Sequence, residues 1–112
     1  MESKHSGMKW CLVHIGSDIT YGLAFVAGEL LRMKHKIMWI DGDENIVKLN
    51  KKISDYAPHY VCFGPLSTEF TRSLKLVKEF KKVLPSIKSV FGGKHVLAVP
   101  EEIKKNKDID YL

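Results

Sequence analysis

Short apolar runs alternate along this chain with stretches in which apolar residues recur every three or four positions. Lys9–Ile15 (KWCLVHI) is an apolar run halted by Gly16-Ser17-Asp18, which predicts a buried strand and its exit loop. From Thr20 the period changes: Leu23, Val26, Ala27, Leu30 and Leu31 fall on one helical face, with Ser17 or Asp18 as N-cap candidates and Arg32, Lys34 and His35 at the negative end. Lys36–Asp41 predicts a second strand, and Glu44–Tyr56, with Ile46, Val47, Leu49, Ile53 and Tyr56, a second helix ended by Ala57-Pro58. Tyr60–Phe63 predicts a third strand and Glu69–Leu84 a third helix, apolar at Phe70, Leu74, Val77, Phe80 and Leu84. Ile87–Phe91 predicts a fourth strand, Pro100-Glu101-Glu102 opens a short fourth helix, and Asp110–Leu112 begins a fifth strand.

Continuous apolar strands alternating with amphipathic helices predict a parallel sheet covered on both faces, because every crossover lays a helix against it. Right-handed crossovers leave few arrangements. The expectation is an α/β, flavodoxin-like (Rossmann-like) three-layer sandwich with a five-stranded parallel sheet in the order 2-1-3-4-5. The 112 residues suit a single domain, taken as 9–112, with 1–8 as a disordered leader because Met1–Gly7 are polar and unpatterned.

The net charge of +5 reflects lysines scattered over the predicted helices and reads as a solvated surface, with no nucleic-acid partner implied. The two cysteines, Cys11 and Cys62, lie inside apolar runs, so neither a disulfide framework nor a clustered metal site is expected. No apolar run approaches the roughly 20 residues of a membrane span, and the cytoplasm is the expected location.

In open sheets of this kind ligands bind at the carboxyl ends of the strands, where the strand order reverses. Here that is the crevice between strands 1 and 3, rimmed by residues 14–21, 64–68 and 92–95. Gly16, Gly64, Gly92 and Gly93 keep side chains off this rim, and Ser17, Ser67 and Thr68 supply hydroxyls. A dinucleotide loop needs G-x-G-x-x-G after strand 1, but the chain has G-S-D-I-T-Y-G. A phosphorylated receiver needs an acid after strand 3, where Gly64-Pro65 stands, and the loop after strand 1 matches an FMN-phosphate loop poorly.

Three blocks resemble the B12 (cobalamin)-binding domain of B12-dependent radical-SAM proteins. Gly22-Leu23-Ala24-Phe25-Val26-Ala27 with Leu30-Leu31, running into Ile37–Asp41, is similar to that family's G-L-A-x-x-A…L helix and following strand. Ala57–Gly64 with Ser67-Thr68 resembles P-D-x-V-G-x-S-x-x-T, although His59 replaces the Asp and the serine comes one residue late. Val90–His95, with Pro100–Ile103 and Asp110-Tyr111, resembles V-G-G-x-H…P-E-E-I…D-Y, the most specific of the three.

The resemblance implies a module that holds base-off cobalamin across the carboxyl edge, its nucleotide tail inserted between strands 1, 3 and 4. Gly16, Ser17, Asp18, Gly22, Gly64, Leu66, Ser67, Thr68, Gly92, Gly93 and His95 are its implied cofactor-binding residues. No histidine stands in Asp18–Gly22 where D-x-H-x-x-G would supply a cobalt ligand; His14 and His95 lie near the rim but read first as strand-end and loop residues. The chain lacks C-x-x-x-C-x-x-C, so an iron–sulfur cluster and SAM would belong to an adjoining radical-SAM domain of a longer parent, which would carry the catalysis. The alternatives are a flavodoxin-like interaction or scaffold domain that has lost the cofactor, expected if Phe63, Leu66 or Tyr21 fills the slot, and a small enzyme or receiver using Asp18, Asp41 or Asp43.

Overall fold

The computed structural model describes residues 7–15, 21–64, 70–91 and 108–110. Four strands, β1 (Lys9–His14), β2 (Lys36–Asp41), β3 (Tyr60–Phe63) and β4 (Lys88–Phe91), alternate with three helices, α1 (Tyr21–Arg32), α2 (Ile46–Tyr56) and α3 (Phe70–Val83). The strands form one parallel sheet in the order β2-β1-β3-β4. This is an α/β fold of the flavodoxin-like type, and its strand order reverses between β1 and β3.

Strand pleating sorts the side chains into two layers. Cys11 and Val13 of β1, Val61 and Phe63 of β3 and Phe91 of β4 point to one face, where Leu49 and Ile53 of α2 and Leu76, Val77 and Phe80 of α3 cover them. Leu12 and Cys62 point to the other, beneath Leu23, Ala27 and Leu30 of α1. β1 is central: Cys11 pairs with Met38 on one side and Val61 on the other. Two positions depart from the expected helical faces. Leu31 (60% exposed) and Val47 (72% exposed) both point outward, because the buried stripe runs through residues 23, 27 and 30 in α1 and 49 and 53 in α2.

The helix ends follow from local chemistry. Asn45 caps α2 by accepting the Val47 N–H at 2.8 Å. Ala57 ends it in the left-handed region (φ 51°, ψ 59°), its N–H on the Ile53 carbonyl. The residue before Pro58 thus leaves the right-handed region as expected, but turns left-handed rather than extended. Lys34 (φ 66°) closes α1 in a Schellman arrangement, with the His35 N–H on the Leu30 carbonyl and the Lys34 N–H on Leu31.

At the outer edge of β4, Ser89 N–H donates to Asp110 Oδ2 at 2.9 Å, and Ser89 Oγ accepts from the Asp110 N–H at 3.0 Å while donating to the Asp108 carbonyl. Lys81 of α3 donates to the same carboxylate oxygen at 2.6 Å. Of the fifth strand expected at 110–112, Asp110 is not part of a strand, and residues 111 and 112 lie outside the described residues. Residues 1–6 and the fourth helix expected from Pro100 also lie outside them.

Candidate functional site

The crevice is built where β1 and β3 end side by side. β1 delivers His14 and Ile15, both half-buried, and β3 delivers Phe63 and then Gly64. Gly22 lies in the first turn of α1. Of the site residues expected from sequence, these glycines are the ones the structure places. Gly16, Ser17, Asp18, Leu66, Ser67, Thr68, Gly92, Gly93 and His95 lie outside the described residues.

Phe63 does not enter the crevice. It is 1% exposed and turned into the α2/α3 layer, stacked on Phe91 with ring centroids 4.9 Å apart. The last side chain of β3 therefore contributes to the core, and the glycine after it leaves the strand end without a side chain. His14 is the polar group at this edge. Its ring is tilted against Trp39, centroids 6.5 Å apart, and its Nδ1 is buried with no hydrogen-bond partner among the described residues. An unmet buried nitrogen is costly, so this atom is suited to a partner brought by a ligand.

The neighbouring β2–α2 turn is a rigid wall. Gly42 N–H donates to the His14 carbonyl at 2.7 Å. A Cβ on Gly42 would stand 2.6 Å from Ile15 Cγ1 and 3.0 Å from Val13 Cγ1, so only glycine fits. Arg72 of α3 clamps the turn, donating to the Gly42 and Glu44 carbonyls at 3.0 Å each. Asp41 accepts the Asp43 N–H at 2.9 Å, an Asx turn that occupies this carboxylate structurally. Gly42 and Arg72 carry no sequence signal of their own, since the clash and the clamp arise from residues thirty positions apart.

The thiols offer no reactive centre. Burial raises Cys11 to about 12 and Cys62 to about 11, so both stay protonated at neutral pH. Among the described residues no group of three or more His, Cys, Asp or Glu could hold a metal ion, and no helix is long and apolar enough to cross a membrane.

The opposite edge is also shaped. His59, which replaces the Asp of the resembling motif, accepts the Lys9 N–H on Nδ1 at 3.0 Å, while its own N–H donates to the Lys9 carbonyl at 2.8 Å. A cavity of about 350 Å³ lies beside it, lined by residues that include Pro58, His59, Tyr60, Leu84 and Lys88. It sits at the amino ends of β3 and β4, remote from the crevice where sheets of this type hold ligands.

No family model matches the chain, and no curated protein matches it. Among solved structures, the fold is similar to that of a novel cobalamin-binding protein from Desulfitobacterium hafniense DCB-2, with a TM-score of 0.71 and 17% sequence identity. The similarity covers 97% of this chain and 53% of that one, so this chain spans about half the length of its structural neighbour and shares its fold over nearly all of its own.

Proposed function

We propose that this chain is a cobalamin-binding module, holding base-off B12 at the carboxyl edge of the sheet for an adjoining radical-SAM domain of a longer parent. The observation that carries the reading is the whole-chain similarity in fold to a cobalamin-binding protein. The three sequence blocks that resemble the cobalamin-binding domain support the same reading. The described residues fit the group: Phe63 is withdrawn into the core, Gly64 follows it without a side chain, and His14 Nδ1 is buried and unmet.

In this reading Gly64 and Gly22 leave room for the bulky nucleotide tail, while His14 Nδ1 hydrogen-bonds it. Gly16, Ser17, Asp18, Leu66, Ser67, Thr68, Gly92, Gly93 and His95 complete the rim. Residues 108–110 beside β4 would lead into the fifth strand of the order 2-1-3-4-5. Bound cobalamin supplies methyl-transfer or radical chemistry, and the chain's own contribution is binding and orientation. Substrate, SAM and iron–sulfur cluster belong to the adjoining domain.

Titration with hydroxocobalamin and methylcobalamin, read by absorbance and amide NMR, tests this reading. Saturable binding with a base-off spectrum, and shifts centred on His14, Ile15 and Gly64, is the expected result. Gly64→Leu should weaken binding by roughly tenfold or more while leaving the fold intact, because a branched side chain would enter the crevice. Absence of shifts at about millimolar cobalamin would favour instead a scaffold domain that keeps the fold without the cofactor.

A further inference from the structure

A surface helix in a three-layer sandwich should be apolar toward the sheet and polar toward water. α2 and α3 each expose one valine, Val47 and Val83, among Lys48, Lys51 and Lys52, and Lys75, Lys78 and Lys82. α1 differs. Its sheet-facing side is Leu23, Ala27 and Leu30, yet its outer side exposes Ala24, Phe25, Gly28 and Leu31. Phe25 is 71% exposed and Leu31 60%, and they share this outer side with Ala24 and Gly28, so the exposed apolar surface here is contiguous rather than single. The helix's charged residues, Glu29 and Arg32, neutralise each other in an ion pair of 2.7 Å. A helix apolar on all sides is normally covered on all sides.

We infer that the outer face of α1 is the contact surface of a homodimer, and that its occupant is the α1 of a second copy. Two observations favour a second copy. The first is charge. The lysine excess of α2 and α3 makes those faces repel their own kind, whereas α1 presents no net charge, so among these helices it is the one where two like copies meet without repulsion. The second is self-complementarity. Phe25 and Leu31 stand three residues on either side of Gly28, where a Cβ would meet nothing within 4 Å. An antiparallel two-fold crossing at Gly28 lets the backbones approach and lays each copy's Phe25 on the other's Leu31, as an isologous contact requires. The contact involves neither the carboxyl edge nor cobalamin.

Sedimentation equilibrium of the 112-residue chain tests this over a range from about 1 to 500 µM. A monomer–dimer equilibrium is expected, with association weakened at least about tenfold by Phe25→Glu or Leu31→Glu. Both side chains are exposed, so circular dichroism and the thermal midpoint of the monomer should be retained. Because Cys11 and Cys62 are buried, a new thiol can be read alone. Gly28→Cys should form a disulfide-linked dimer on mild oxidation at least about tenfold faster than Lys78→Cys on α3. A monomer throughout the range, a dimer indifferent to both glutamates, or equal cross-linking at positions 28 and 78 would each overturn the inference.

Discussion

Ala57 holds a left-handed conformation that L side chains adopt at a penalty of about 1 kcal/mol, and it is exposed. Ala57→Gly should therefore stabilise the chain by about 0.5–1 kcal/mol in urea unfolding. Gly42 is the opposite case. Its missing Cβ is required because the side chains of Ile15, Val13 and Leu76 would stand 2.6, 3.0 and 3.1 Å from it. Gly42→Ala should destabilise by about 1–3 kcal/mol and shift the amide signals of Val13 and Ile15 at the crevice.

Asp110 links the chain to pH. Partial burial alone would raise its carboxyl pKa, but the Lys81 hydrogen bond, the Ser89 N–H and the nearby Lys81 and Lys88 charges outweigh it and lower the value below the ordinary 3.8. A group depressed in the folded state contributes stability that is present above its unfolded pKa and lost as pH falls through its folded one. The stability difference between the parent chain and Asp110→Asn should thus be constant near neutrality, about 1–2 kcal/mol, and shrink below about pH 4.

At the scale of elements, the seven strands and helices lie within a residue or two of where their patterns put them, because a buried parallel strand and an amphipathic helix have different periods and glycines or prolines separate them. The strand order was legible too, since right-handed crossovers exclude most others. What the pattern did not show is which apolar residues stay outside. Leu31 lies next to Leu30 and Val47 next to Ile46, and a periodicity broad enough to include both neighbours cannot say where the sheet's edge falls. The β1–β3 crevice follows from the strand order, and of the glycines expected at its rim Gly22 and Gly64 are the ones among the described residues. The Gly42 wall, the Arg72 clamp and the outward-facing side of α1 were not, because each depends on contacts between residues far apart in the chain. His59, which stands where the resembling motif has Asp, accepts the Lys9 N–H on Nδ1 at the amino end of the sheet.

At the scale of the whole molecule, the two layers are unequal. Among the described residues, the layer under α2 and α3 buries Phe63, Phe80, Phe91 and nine further residues, whereas the layer under α1 buries Leu12, Leu23, Ala27, Leu30 and Cys62. Hydrophobic stabilisation scales with apolar area removed from water, so α1 should lift from the sheet at a lower free energy than global unfolding. The cysteines report on this directly, because Cys11 lies under the large layer and Cys62 under the small one, on adjacent strands with opposite facing. Both thiols are buried and protonated, so a thiol reagent at neutral pH reaches each only when its own layer opens. Cys62 should be modified first under native conditions, with a weak dependence on urea, and Cys11 later, with the full dependence of global unfolding. The raised thiols also set a sign at high pH. Stability should be complete below about 9 and decline as pH rises toward about 11 and 12, the values at which the folded thiols ionise. Equal rates at the two cysteines, measured by mass spectrometry of the modified peptides, would mean that the sheet, α1, α2 and α3 open as one cooperative unit. In that case α1 would be held by more than its five-residue cluster.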